Sequence, residues 1–310
     1  MSYQTVVGLQ PSRLYNGNFG WETNRKLEAA LEMGFLADRL FLTGAYYQNR
    51  SSNQLVGIPL SGLTGFNQIQ ANLNATVENV GWEFTLRTVN FSKANFNWTS
   101  SLNLSISRNR LVSFPNLSGS TYKNTYRIGE PLNIQLSYNY LGVDPQTGIY
   151  QFVDENKDGR LTSPDDRQTI VDLNPAYFGG LQNQLSYKKL KLDFLLQFVS
   201  QLNRSYGSIP GMQYPQPVRA VDSWKKPGDI ATYQRYTTGS NLAVINAQNQ
   251  YSTSNAGIVD ASYIRLKTAS LTYEVPLKTK GITCRAMLQG QNLLTFTPFV
   301  DGDPEFKNSG

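Results

Sequence analysis

The chain has 310 residues, 16% of them charged and 12% aromatic, with a formal net charge of +6. A single cysteine, Cys284, and the absence of histidine exclude an internal disulfide, a Cys/His zinc cluster and any Ser-His or Cys-His catalytic pair. The basic residues are scattered rather than interleaved with aromatics, which argues against nucleic-acid binding.

The charged fraction falls below the soluble average of about 25%. Tyr (18) and Phe (15) are plentiful, and Asn, Gln, Ser and Thr supply the polarity. That mix suits long β-strands with one neutral polar face. Apolar runs are only a few residues long, so no transmembrane helix is expected, although a membrane barrel needs none because alternate residues face lipid. The start, MSYQTVVGLQPSRLYNG, lacks a basic segment followed by an apolar core and is not read as a secretory signal. A cytosolic protein and an internal piece of a longer chain both satisfy this.

In chain order, residues 1–25 read as a loop. Leu27, Ala29, Leu31, Met33 and Phe35 alternate with polar neighbours as a first strand. Leu36–Asp38 is a short turn, and Arg39–Gln48 is a second strand. Asn49–Asn79, broken by Gly57, Pro59, Gly62 and Gly65, reads as a long loop. Val80, Trp82, Phe84 and Leu86 open a third strand. After a turn at Ser92–Asn95, Phe96, Trp98, Leu102, Leu104 and Ile106 alternate with Asn97, Thr99, Ser101, Asn103, Ser105 and Ser107 in a fourth. Arg108–Leu173 is irregular, with strand-like pieces such as Ile134–Tyr140.

Asn174–Val199 holds the clearest hairpin. Tyr177–Tyr187 and Leu190–Val199 are two amphipathic segments of about 10 residues, the length that crosses a bilayer when tilted, joined at Lys188-Lys189. Ser200–Ala261 is a second long irregular region. Ser262–Val275 is a strand whose apolar parity slips near Thr268, Ile282–Asn292 is another, and residues 293–310 read as loop.

Eight strands thus pair into four hairpins. Their tight turns fall on one side, and the long connections 49–79, 108–173 and 200–261 fall on the other. Outer-membrane barrels combine short periplasmic turns with long extracellular loops. On that reading Val80, Trp82, Phe84, Leu86, Phe96, Trp98, Leu102, Leu104, Ile106, Leu190, Leu192, Phe194, Leu196 and Phe198 face lipid. Phe96, Trp98 and Tyr187, beside short turns, suit an aromatic girdle. A soluble β-core satisfies the same alternation.

With these strands in place the chain resembles the C-terminal part of SusC/RagA-type TonB-dependent outer-membrane transporters. The matching pieces are ENVGWEFTL (Glu78–Leu86), NFNWTSSLNLSISRNRL (Asn95–Leu111), YRIGEPL (Tyr126–Leu132) and VDENKDGRLTSPDDRQTI (Val153–Ile170). They continue through the hairpin, ASYIRLKTASLTYEVP (Ala261–Pro276) and QGQNLLTFT (Gln289–Thr297) into DGDPEF. The resemblance implies an all-β, antiparallel transmembrane barrel of about 22 strands with a plugged lumen. This chain would hold about eight of them, without the plug domain, the early strands or the last strand. It further implies a TonB-energised nutrient importer of the Gram-negative outer membrane. Its partners would be a SusD-like surface lipoprotein, the TonB complex through the missing N-terminal region, membrane lipid, and oligosaccharide or peptide cargo. The alternative function is a soluble or surface-anchored β-rich carbohydrate- or protein-binding module. No catalytic residue is expected, since the adjacent Asp165-Asp166 cannot flank a glycosidic bond from opposite sides.

Two groups of site residues follow. Asp154, Asn156, Asp158, Gly159, Arg160 and Asp165 fit a D-x-N-x-D-G calcium loop, with side-chain oxygens at the first, third and fifth positions, the Arg160 carbonyl, and Asp165 closing the shell. An acidic turn without an ion fits as well. Tyr214, Trp224, Tyr233 and Tyr236 offer rings for stacking on sugars, or for packing the loop on itself. Glu83, Arg87, Lys191 and Asp193 face inward, toward the plug or lumen or into cross-strand ion pairs. Cys284 reads as a small apolar residue on an outward face.

Overall fold

A computed structural model describes residues 13–205, 221–277 and 282–306, together with two short strands at Ser2–Tyr3 and Val6–Val7. Eight strands form one antiparallel sheet in which sequence neighbours are sheet neighbours throughout. They are β1 (Thr23–Phe35), β2 (Leu40–Pro59), β3 (Gln68–Lys93), β4 (Phe96–Ser113), β5 (Tyr177–Tyr187), β6 (Leu190–Ser200), β7 (Tyr263–Val275) and β8 (Cys284–Phe296). β1 and β8 are the two edges, so the sheet is open among the described residues. By compactness the chain divides into two units. One is Met1–Ala29, Tyr46–Gly81 and Arg108–Leu132; the other is Ala30–Ala45, Trp82–Ser107 and Asn133–Gly310.

The second unit contains the amphipathic wall. Paired residues line up across β4 to β8 in rows that share a face, because side chains alternate along each strand. On one face run Phe96, Tyr187, Leu190, Tyr273 and Ala286, then Trp98, Leu185, Leu192, Leu271 and Leu288. Further along come Leu102, Leu181, Leu196, Leu266 and Leu294. The other face carries Thr99, Gln184, Asp193, Ser270 and Gln289, and next to them Asn97, Ser186, Lys191, Thr272 and Met287. Trp82 and Phe84 stack with centroids 6.1 Å apart, and Trp82 is 50% exposed. Leu192, Leu271, Leu288 and Leu294 are likewise exposed. A face this apolar and this open is what a lipid-facing wall requires. Phe96 pairs with Tyr187 at the turn end, where the Phe91 ring lies 5.9 Å from that of Phe96.

Tight turns close the hairpins at that end. Tyr187 pairs with Leu190 across Lys188-Lys189, with Lys188 at φ 52°. Leu36, Ala37 and Asp38 all have positive φ in the turn before β2. The parity slip at Thr268 is a β-bulge. Leu195 pairs with Thr268 but Leu196 pairs with Leu266, which leaves Lys267 supernumerary.

Four sequence-based boundaries are corrected. The supposed loop 49–79 is mostly strand, because β2 runs on to Pro59 and β3 begins at Gln68, with a single 3₁₀ turn at Gly62–Thr64 between them. Its physical basis lies in the first unit. There Ala75, Val77, Leu111 and Phe114 form a buried core, covered by Leu73, Leu117, Tyr122, Tyr126 and Leu132. Residues 69–77 therefore do alternate, with small and neutral residues supplying the polar parity. β4 likewise continues to Ser113, and β8 continues to Phe296.

The described parts of the long regions 108–173 and 200–261 are folded rather than irregular. Ile134–Ser137 pairs with Thr169–Asp172, Tyr140–Val143 with Tyr150–Phe152, and Leu202–Arg204 with Ile258–Asp260. A helix, α1 (Leu242–Ser252), starts at Asn241, whose side chain accepts from the Ala243 and Val244 amides as an N-cap. Ala247 of α1 joins Tyr138, Tyr150 and Phe152 in a second buried core, with Tyr140 and Tyr251 packed against it. Tyr150 and Tyr251 stack at 4.4 Å.

Candidate functional site

The polar face of the wall is the first candidate surface. Arg87, Thr99, Ser101, Gln182 and Gln184, with Phe41, line an open recess of about 770 Å³. Hydroxyls and amides dominate it, so it offers hydrogen bonds without much fixed charge. Glu83, Arg87 and Lys191 stand exposed, and Asp193 is partly covered.

A strap crosses the same face at the far end of β7. Arg265, 3% exposed, lies over the Tyr263 ring and donates to Asp303, Glu305 and the Thr295 hydroxyl. Lys267 Nζ binds both Glu305 oxygens at 2.9 Å. Gln201 and Asn203 donate to the Pro304 and Phe306 carbonyls. The strap residues 303–306 fall in the 293–310 stretch that the sequence reads as loop. The alternation of DGDPEF acids opposite Arg265 and Lys267 was the available clue.

The acidic loop closes on its own backbone. Asp154 Oδ2 accepts from the Gly159 amide at 2.8 Å, Asn156 Oδ1 from Asp158, and Asp158 Oδ1 from Arg160. Gly159 has φ +80°, a conformation that glycine adopts without a Cβ penalty. The expected closing residue, Asp165, is exposed. Its neighbour Asp166 is fully buried and accepts from the Thr162 and Glu155 amides. The Thr162 amide above all, and then that of Glu155, hold the Asp166 carboxyl below its ordinary range. Asp154 Oδ1 is buried with no hydrogen-bond donor. Among the described residues no group of three or more acidic, His or Cys side chains is placed to hold a metal ion.

The aromatic candidates separate. Trp224 is buried, donates Nε1–H to the Pro145 carbonyl and lies against Arg235. A Cβ at Gly148 would meet the indole at 2.3 Å, so this ring is packed into the loop and presents no open face. Tyr233 is half-buried and accepts the Trp224 amide through its carbonyl. Tyr236 is 45% exposed. Tyr214 lies outside the described residues.

Comparison with known proteins is consistent with this geometry. Residues 1–293 match the family model described as "TonB dependent receptor-like, beta-barrel". The chain is 31% identical to TonB-dependent receptor P26 of Formosa agariphila over 98% of its own length and 33% of that protein's. It is 24% identical to TonB-dependent receptor SusC of Bacteroides thetaiotaomicron, again over 98% of this chain and 32% of the relative. The solved RagAB peptide importer in its open-open state shares the fold, with a TM-score of 0.75 at 20% identity over 95% of this chain and 33% of that one. The chain thus spans about a third of the length of the relatives it matches. The chain belongs to the TonB-dependent receptor-like β-barrel family of the outer membrane.

Proposed function

We propose that this chain forms part of the wall of a SusC-like, TonB-energised importer. A SusD-like surface lipoprotein would meet its long folded loops, and the TonB complex would act through a region outside the described residues. The observation that carries this reading is the two-faced sheet, with exposed leucine rows on one side and amide and hydroxyl rows on the other. The polar rows suit an uncharged, hydrogen-bonding cargo, an oligosaccharide or a peptide. Tyr236, with Tyr233, is the aromatic surface for stacking on that cargo. No catalytic step is part of the proposal. The exposed apolar rows disfavour a soluble binding module, since contiguous apolar surface of this kind is unusual in a soluble monomer. The test follows labelled peptides and oligosaccharides into cells that carry the intact receptor, with and without TonB. Uptake of one class that needs both proteins is expected. Uptake independent of either, or a water-soluble receptor in cell fractions, would sink the proposal.

A calcium ion in the acidic loop is a second reading, favoured by the donorless Asp154 Oδ1. Asp154, Asn156, Asp158 and the Arg160 carbonyl would hold it. The ion would neutralise the loop's carboxylates and stiffen it. Protease digestion of the intact receptor should then cut this loop faster once calcium is chelated, and Asp154→Ala should abolish the difference. Equal cutting with and without calcium in the unmodified protein rules the ion out.

A further inference from the structure

In the first unit the sheet has one face covered by the 114–132 segment and one face carrying charge. Glu78 on β3 is 3% exposed. Arg50 on β2 donates Nε–H to Glu78 Oε2, Arg110 on β4 donates to Oε1, and Gln48 donates to Oε2, each at 2.6 Å. Both carboxylate oxygens are occupied, and the two guanidinium groups are about half exposed. Each arginine spends one N–H on Glu78. Among the described residues neither makes another hydrogen bond, so most of their donors point to solvent. One buried carboxylate thus holds two arginines side by side and leaves an excess positive charge.

The position along β3 says what meets this pair. Alternation places Glu78 on the same face of the strand as Trp82 and Phe84, the lipid-facing parity. Four residues separate Glu78 from Trp82, about 13 Å along a strand and about 10 Å along the membrane normal at a tilt near 40°. An exposed aromatic pair marks the edge of the hydrocarbon. The arginines therefore stand at headgroup depth, on the outside of the wall.

We propose that Arg50 and Arg110, pre-oriented by Glu78, bind the phosphate of an anionic lipid headgroup in the outer leaflet. The guanidinium fork matches phosphate oxygens in two-point contact, and Glu78 removes the entropy cost of bringing two long side chains together. The proposal rests on the outer-membrane placement of the sheet and is independent of cargo.

The test uses the intact receptor in nanodiscs. Thermal unfolding is compared in discs doped with a diphosphorylated glycolipid and in discs doped with its dephosphorylated form. The phosphorylated lipid should raise Tm, and added salt should erase the shift. A variant E78Q/R50Q/R110Q keeps neutral hydrogen-bonding side chains at all three positions. After detergent exchange it should retain several-fold less phosphorylated lipid than the unmodified receptor. Equal Tm in the two lipids overturns the proposal even if the variant fails to fold. Inorganic phosphate at millimolar concentration raising Tm as much as the lipid would overturn it too, by identifying a site for free phosphate.

Discussion

The two compact units solve opposite problems with the same strands. In the second, Trp82, Phe84, Leu192 and Leu271 are exposed while Thr99, Gln184 and Ser270 occupy the alternate positions. In the first, Ala75, Val77 and Leu111 are buried and the opposite parity carries Arg50, Glu78 and Arg110. Along β3 the apolar parity therefore changes from even to odd with no break in the strand. Where lipid is the solvent, leucine faces out. Where water is the solvent, it turns in and needs a segment of chain to cover it. Strand formation is common to both, and the medium decides which parity is apolar.

Substitutions can break this contrast. The largest effect is expected at Leu111, 1% exposed. Leu111→Ala should destabilise the first unit by about 2–5 kcal/mol through the cavity it leaves, seen as faster proteolysis of residues 114–132. The lipid-facing Leu192→Ala should leave that cleavage unchanged. Phe194→Arg, on the apolar face of β6, should cost about 2–4 kcal/mol in the folding equilibrium in vesicles, whereas Gln182→Arg on the polar face should be nearly neutral. Equal penalties at the two would reverse the assignment of faces.

Glu78→Gln comes next, at about 1–3 kcal/mol for the loss of charged hydrogen bonds. Hydrogen bonds from Arg110 first, then Gln48 and Arg50, pull the Glu78 carboxyl down from 4.5 to about 2. Glu78 lies beyond the membrane-spanning part of β3. A depressed folded-state value means this stabilisation is complete above about pH 4.5 and is lost as pH falls toward 2. Unmodified protein and Glu78→Gln should therefore converge in stability over that window, measured in acid denaturation of the first unit. The smallest effect is a gain. Lys188→Gly, at φ 52°, should stabilise the β5–β6 turn by up to about 1 kcal/mol, measured as a shift in unfolding midpoint.

The same contrast explains what the sequence disclosed. The β5–β6 hairpin was legible almost to the residue because a wide polarity difference alternates on both sides of a two-residue turn. Residues 49–79 were not. On β3 the outward positions before Glu78 are Gln70, Asn72, Asn74 and Thr76 rather than leucine, and the apolar parity is the reverse of the one that follows. Helix α1 was hidden because only Val244, Ala247 and Gln248 of its residues are buried, too weak a stripe to stand out. At the candidate sites, residue type was a poor guide to role. An indole that packs against Pro145 and one that stacks on a sugar are the same residue in a sequence. Asp165 and Asp166 differ only in which one the backbone turns inward.

The bulge at Lys267 shows how a single residue can govern topography. Beyond it, Ile264 and Leu266 lie on the apolar face and Tyr263 and Arg265 on the polar one. Deleting Lys267 would restore an unbroken ladder with β6 and rotate that end of β7 by one position. Arg265 would then meet hydrocarbon, and the acids at 303 and 305 would lose their cation. In such a wall, insertions and deletions are tolerated in pairs or not at all, so chain length within a strand carries information as specific as the identity of any side chain.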